Sequence, residues 1–188
     1  ALRFQAQLGF QIEEKTEEAI KNQAKFLKDI SAERIQVELE KLITSAHPEV
    51  LVNAYKLGVT KIIFPEFDIM METPQNNPHH IYSVGDHTIH AVETIAPNPI
   101  LRLTMLLHDI AKPETRSTDE NGIDHFYDHN EAGAVLSKTI LRRLKFDNQT
   151  TQMVTTLIAH HDIRFNDALG TGRKHVRRVI HSVGENLF

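Results

Sequence analysis

The chain has 188 residues, 40% hydrophobic and 24% charged, which is typical of a globular protein of one large or two small domains. It has no cysteine, which excludes disulfides and thiolate metal ligands and is compatible with a reducing cytoplasm. The net charge of −4 excludes a uniformly basic surface, so any contact with nucleic acid must come from a local basic face. No run approaches the roughly 18 apolar residues of a membrane span, and we predict a cytoplasmic protein without membrane contact.

Apolar residues recur with helical spacing along nearly the whole chain. In the first part, Thr16 is predicted to cap a helix over residues 16–30, and Ser31 to cap the next helix. Residues 60–71 are expected to form short helical turns that break at Pro65. Helices therefore dominate the first part of the chain.

Residues 72–80 contain two prolines and two asparagines and are predicted to be a linker. It divides the chain into two helical domains, residues 1–75 and residues 76–188. Helices are expected in the second domain near residues 84–96, 98–111, 129–144, 148–161 and 173–183. The polar segment 112–128 is expected to form either a short hairpin or an irregular loop. Because no other segment alternates like a strand, the predicted fold class is all-α.

Histidines are concentrated in the second domain: of the twelve in the chain, only His47 precedes residue 79. Several lie at helix ends beside carboxylates, in the segments Asp86-His87, His108-Asp109, His129 and His160-His161-Asp162. The tips of neighbouring side chains at such positions are able to converge on one ion. Imidazoles with carboxylates suit Mn, Fe, Ni, Zn or Mg.

We predict a divalent-metal site with five main ligands and two additional candidates. The main ligands are His87, His108, Asp109, His129 and His160, and the additional candidates are His161 and Asp162. A carboxylate bridges two ions readily, so Asp109 is expected to serve a two-metal site and to be catalytic. Such a site polarises a phosphoryl oxygen and lowers the pKa of bound water.

Two of these residues also have simpler interpretations. An ionised Asp109 in an apolar helix face needs a partner, which is either a metal ion, a helix N-terminus, or a cation such as Arg102 or Lys112. Lys112 is a candidate catalytic residue that holds a substrate phosphate as a point charge. Alternatively, it is a cation stabilised by a helix C-terminus.

The second domain resembles the HD superfamily of metal-dependent phosphohydrolases. The motif LLHDIAK at residues 106–112 matches the doublet that names the family, and His87 matches its first histidine. The resemblance identifies His129 and His160 with the histidines of members that hold a second metal. It covers about residues 80–165.

One feature departs from the HD pattern, which closes with an aspartate on a later helix. No aspartate follows Asp167. Either Asp162 or Asp167 takes this role, or the last ligand lies beyond Phe188. We favour the last interpretation, in which the domain is C-terminally truncated.

The first domain resembles the neck and body of bacterial poly(A) polymerases and CCA-adding tRNA nucleotidyltransferases. The similarity lies in ALRFQAQLGF at residues 1–10 and SAERIQVELEKL at residues 31–42. YSVGDHT at residues 82–88 and HFY at residues 125–127 resemble the variant of this family that continues into an HD domain. Together the similarities cover nearly the whole chain.

This resemblance implies a fragment that lacks the polymerising head, contacts the 3′ end of tRNA or another RNA, and hydrolyses phosphomonoesters or 2′,3′-cyclic phosphodiesters. It does not separate CCA addition from poly(A) addition. The candidate RNA-binding residues are Arg3, Arg34, Lys41, Arg173, Lys174, Arg177 and Arg178. The mixed charges of residues 33–41 are equally typical of a solvated helix face, with Arg34 and Glu38 as an i,i+4 pair.

Two other functions stay open at this point. The chain is either a tRNA-binding scaffold in which metal is structural or absent, or a stand-alone HD nucleotide hydrolase with an unrelated N-terminal domain. The neck-like first 45 residues argue against the second of these.

Overall fold

A computed structural model describes residues 1–76 and 82–162, together with Arg177. The predicted all-α class is confirmed, since nearly all regular structure in these residues is helical. Among them, no helix combines the length and the apolar character needed to cross a membrane.

The first part of the chain consists of seven helical segments. They are α1 (Leu2–Leu8), α2 (Glu14–Gln23), a 3₁₀ helix (Ala24–Asp29), α3 (Ala32–Ile43), α4 (Val50–Lys56), α5 (Thr60–Ile63) and α6 (Pro65–Glu72). The helix expected over residues 16–30 is therefore divided, because its second half tightens into the 3₁₀ helix. Its cap is Glu13 and not Thr16, since the Glu13 carboxylate accepts a hydrogen bond from the Thr16 amide.

In residues 82–162, the structure describes five helices and one hairpin of the second part. They are α7 (Val84–Thr94), α8 (Pro99–Leu107), α9 (Lys112–Thr115), β1 (Arg116–Thr118), β2 (Asp124–Phe126), α10 (His129–Arg143) and α11 (Asn148–Ala159). The antiparallel hairpin pairs Arg116 with Phe126, so segment 112–128 forms the short hairpin and not an irregular loop.

Local capping fixes where the helices of the second part begin. The Ser83 hydroxyl accepts from the Asp86 amide and starts α7 one turn before the first histidine of the site. The Asn98 side chain accepts from the amides of residues 100 and 101, and Pro99 occupies the first turn of α8. Asp147 caps α11 in the same way.

The two parts share one hydrophobic core. Helix α6 packs against α7 so closely that a Cβ atom on Gly85 would lie 2.7 Å from the Met71 Cα atom. The buried Arg102 guanidinium donates to the Ile43 carbonyl at the end of α3 and to the Ile95 carbonyl at the end of α7. The boundary predicted at residues 75–76 stays a prediction, and buried side chains from both sides of it form one cluster.

Candidate metal centre

The HD doublet lies where α8 ends. Helix α8 stops at Leu107, His108 is its C-terminal cap, and Asp109 follows in the turn that leads to α9. The Asp109 side chain is 2% exposed. A buried carboxylate at the end of an apolar helix is costly unless a cation or several donors compensate it, so its neighbours decide what it does.

Two histidines approach one oxygen of Asp109. Nε2 of His108 lies 3.1 Å from Oδ2, and Nε2 of His87, from the first turn of α7, lies 3.6 Å from the same atom. The two imidazole centroids are 5.5 Å apart. These three side chains form one group whose potential ligand atoms all lie within 4.8 Å of one another.

Two further histidines approach the other oxygen. Nε2 of His129, the first residue of α10, lies 3.5 Å from Asp109 Oδ1, and Nε2 of His161 lies 3.7 Å from it. The two Nε2 atoms are 3.2 Å apart. Asp109, His129 and His161 form a second group of potential ligands, and Asp109 is common to both. The two groups are compatible with a divalent-metal site in which Asp109 would be a ligand.

The structure differs from the sequence prediction at the end of α11. Within the described residues, the two ligand groups include His161 and contain neither His160 nor the exposed Asp162. Helix α11 ends at Ala159, and His160 caps it with φ −117° and ψ 6°. The chain therefore leaves helical geometry at His160, and the following residue brings its imidazole to Asp109.

Backbone carbonyls fix the orientation of three of the imidazoles. The Nδ1 atoms of His108, His129 and His161 each lie 2.7 Å from the carbonyl oxygen three residues earlier in the chain. Because a carbonyl only accepts, each Nδ1 carries a proton and donates it. A neutral ring then presents an Nε2 lone pair to the carboxylate, which is repulsive unless a cation lies between them.

Charges around Asp109 compensate its burial. Burial opposes ionisation, yet the imidazoles of His108 and His161 and the Lys112 ammonium hold the pKa of Asp109 well below its usual range. Burial also acts against a charged His161, but the Asp109 carboxylate raises the pKa of that imidazole. Desolvation lowers the pKa of His129.

Lys112 is the cation nearest to Asp109, as in one of the interpretations left open by the sequence. Its Nζ atom lies 2.8 Å from Oδ2, but not in hydrogen-bonding geometry, and Oδ2 is buried without a hydrogen bond. The ammonium donates instead to Gln75 Oε1 at 3.1 Å and lies 5.3 Å from the centroid of the Phe126 ring. A buried carboxylate oxygen without a hydrogen bond, faced by imidazole lone pairs, fits a divalent cation.

Four of the candidate RNA-binding residues fall within the described part of the chain. Arg3 forms an ion pair with Glu38, with its Nε atom 2.6 Å from a carboxylate oxygen. Arg34 and Lys41 are exposed on α3. Arg177 is exposed and helical. The remaining candidates, Arg173, Lys174 and Arg178, lie outside the described residues, as do Asp167 and most of the helix predicted at residues 173–183.

Sequence reasoning missed two side chains that position the site. Gln75 lies in the predicted linker but is 5% exposed, and it holds Lys112 while its amide donates to the Ser83 carbonyl. Asn130 donates to the Ala159 carbonyl and thereby joins the start of α10 to the end of α11. The sequence shows only that Asn130 follows the predicted ligand His129 and that Gln75 lies in the segment before His87. Their spacing does not show which groups they contact.

Comparisons with known proteins assign a family to each part of the chain. Residues 79–183 match the HD domain family, and residues 9–71 match a family described as "Probable RNA and SrmB- binding site of polymerase A". The chain belongs to the HD domain family, and the resemblance drawn from the sequence is confirmed in both parts.

Particular relatives extend the similarity over most of the chain. It is 31% identical over 94% of its length to a CC-adding tRNA nucleotidyltransferase of Thermus thermophilus and 29% identical over 95% to an A-adding tRNA nucleotidyltransferase of Deinococcus radiodurans. It is 28% identical over 82% to the Multifunctional CCA protein of Haemophilus influenzae. It spans 42%, 44% and 39% of these relatives, respectively, which is less than half of each.

Proposed function

We propose that the second part of the chain is a divalent-metal-dependent phosphohydrolase that acts on phosphomonoesters or 2′,3′-cyclic phosphodiesters at RNA 3′ ends, within a protein of the tRNA nucleotidyltransferase family. The observation that carries the proposal is the convergence of four Nε2 atoms, from four separate segments, on the two oxygens of the buried Asp109. A purely structural ion pair needs one cation there, and Lys112 already supplies it.

Asp109 and its four neighbouring histidines, His87, His108, His129 and His161, would hold the metal. A divalent ion bound there supplies a Lewis acid for the phosphoryl oxygen and lowers the pKa of a water molecule. Asp109 is ionised throughout the physiological pH range, because the surrounding positive charge lowers its pKa. Lys112, whose ammonium lies 2.8 Å from Asp109 Oδ2, would hold a phosphoryl oxygen of the substrate as a point charge.

The exposure of the ligands indicates the side from which a substrate enters. The His87 side chain is 35% exposed, whereas those of His108, His129 and His161 are 8%, 11% and 14% exposed. The open side of the site is therefore the first turn of α7, next to the exposed Tyr82. We propose that the phosphate ester approaches there while the remaining ligands stay shielded from water.

Hydrolysis assays on chelator-treated protein test this proposal. We expect p-nitrophenyl phosphate or 2′,3′-cyclic AMP to be hydrolysed after addition of Mn, Ni, Fe, Zn or Mg, and not in their absence. D109N is expected to lose activity by at least about 100-fold, as it removes the charge shared by both ligand groups. Absence of turnover with every metal and both substrates would refute the proposal.

The Lys112 ion pair favours one alternative function, a tRNA-binding scaffold without catalysis. In that case Lys112 alone neutralises Asp109, and the histidines are structural. Metal analysis of the purified protein separates the two functions, because the scaffold binds tRNA with no stoichiometric metal. The match of residues 9–71 to an RNA-binding family argues against a stand-alone nucleotide hydrolase. The cytoplasmic location stays a prediction.

A further inference from the structure

A basic cleft lies in the first part of the chain and takes no part in the proposed hydrolysis. It has a volume of about 480 Å³ and is formed by residues of α2, the 3₁₀ helix, α4, α5 and α6. Four lysines line it: Lys21, Lys25, Lys56 and Lys61. We call this feature the lysine cleft.

The lysine cleft carries an excess of positive charge. Within the described part of the chain, none of its four ammonium groups has an ion-pair partner within 4.0 Å. One carboxylate, that of Asp68, also lines it. Lys21 and Lys25 are four residues apart across the junction of α2 and the 3₁₀ helix, and like charges at this helical spacing repel each other. Arg3, by contrast, is neutralised by Glu38.

Helix dipoles account for these lysines individually but not together. Lys21, Lys56 and Lys61 each lie in the last turn of their helix, where a cation is favourable. This stabilisation does not require the lysines of different helices to lie near one another, because each helix end interacts with its own cation. Three different helices nevertheless turn a lysine to the same cleft, and Lys25 adds a fourth from the 3₁₀ helix. The convergence calls for an anionic ligand.

We propose that the lysine cleft binds the phosphodiester backbone of RNA. Lysine ammonium groups are flexible point charges, which suits phosphates of any sequence better than a bidentate, base-reading contact. The Tyr55 side chain lines the same cleft and adds a phenol. All lining residues lie within the segment 9–71 that matches an RNA-binding family. Within that segment, the RNA backbone therefore lies along the lysine cleft.

The test is a salt titration of RNA binding with two variants of equal charge. The cleft variant is K21Q/K25Q/K56Q/K61Q, and the matched control replaces four exposed lysines elsewhere, K15Q/K28Q/K138Q/K145Q. Fluorescence anisotropy with a labelled hairpin RNA that ends in single-stranded CCA is measured in chelator at several salt concentrations. The chelator makes the result independent of hydrolysis, so failure here and failure of the proposed hydrolase are distinguishable.

We expect the cleft variant to bind RNA about 30-fold more weakly at 0.1 M salt, with the slope of log Kd against log salt reduced by about 3, as each lost phosphate contact removes 0.7 to 0.9. The control is expected to change affinity by less than about threefold. Equal losses in both variants would overturn the proposal. So would unchanged RNA affinity with loss of polyglutamate binding in the cleft variant, which would assign the cleft to an acidic protein partner.

Discussion

The choice between two adjacent histidines gives the sharpest test of the metal centre. H161A removes one of the two imidazoles that approach Asp109 Oδ1, since His161 Nε2 lies 3.7 Å from that oxygen and 3.2 Å from His129 Nε2. Loss of an outer partner of a metal ligand costs 10- to 100-fold in affinity, so loss of the ligand itself should cost at least about 100-fold, or roughly 2.7 kcal/mol. H160A removes an imidazole outside both ligand groups and should change affinity by less than about threefold.

Isothermal titration of chelator-treated protein with Mn or Ni measures both variants directly. Thermal unfolding with excess metal gives an independent measure, because a ligand that binds only the folded protein raises its stability with the logarithm of the ligand concentration. Circular dichroism without metal controls for the fold. Weak binding by H160A together with full affinity in H161A would refute the placement of His161 and restore the assignment made from the sequence.

Three further outcomes concern stability. G85A should lose about 3 kcal/mol in urea unfolding, at the upper end of overpacking, because its methyl group would meet the Met71 backbone within 2.8 Å; an unchanged midpoint would show that α6 and α7 separate easily. R102M should lose about 2–4 kcal/mol, since it leaves buried carbonyls of α3 and α7 without their donor, and wild-type stability would contradict that role. Burial opposes ionisation of Glu66, but its bidentate pair with Arg143 lowers its pKa. At pH values above the ordinary glutamate pKa, the pair therefore contributes roughly 1 kcal/mol or less to the free energy of unfolding, and this contribution is lost as the pH falls through the lowered pKa. In E66Q, the free energy of unfolding should therefore decrease less steeply toward acid pH, and an unchanged decrease would contradict this role of the pair.

The helical spacing of apolar residues predicted most helices of the second part, because each helix must bury one apolar face. The apolar stripes of α7, α8, α10 and α11 predicted these helices within a few residues of their observed ends, apart from α8, which stops four residues early. It stops there because His108 to Ala111 form the turn that carries the site. The division of the first long helix into α2 and a 3₁₀ helix was not predictable, since the stripe continues through both.

The ligand set was only partly accessible to sequence reasoning. His87, His108, Asp109 and His129 stand at helix ends in the sequence, and the structure brings them together. His160 and His161 are indistinguishable by spacing, because the choice between them depends on where α11 ends and on the dihedral angles of the cap. The RNA-binding candidates stay a prediction. Spacing in the sequence also does not show that Glu38 pairs with Arg3 in the fold.

The position of the ligands at helix ends has a physical cause. The last four carbonyls of a helix have no amide partner within that helix. Met105 and Ile158 belong to the final turns of α8 and α11, and their carbonyls accept the Nδ1 protons of His108 and His161. These main-chain carbonyls thus select the tautomer and turn Nε2 toward Asp109, without the second carboxylate that often orients metal-binding histidines. Because the orienting group is main chain, no side-chain substitution removes it. A variant that extends either helix by one residue would instead displace the imidazole, and it should abolish metal binding while leaving the helical content intact.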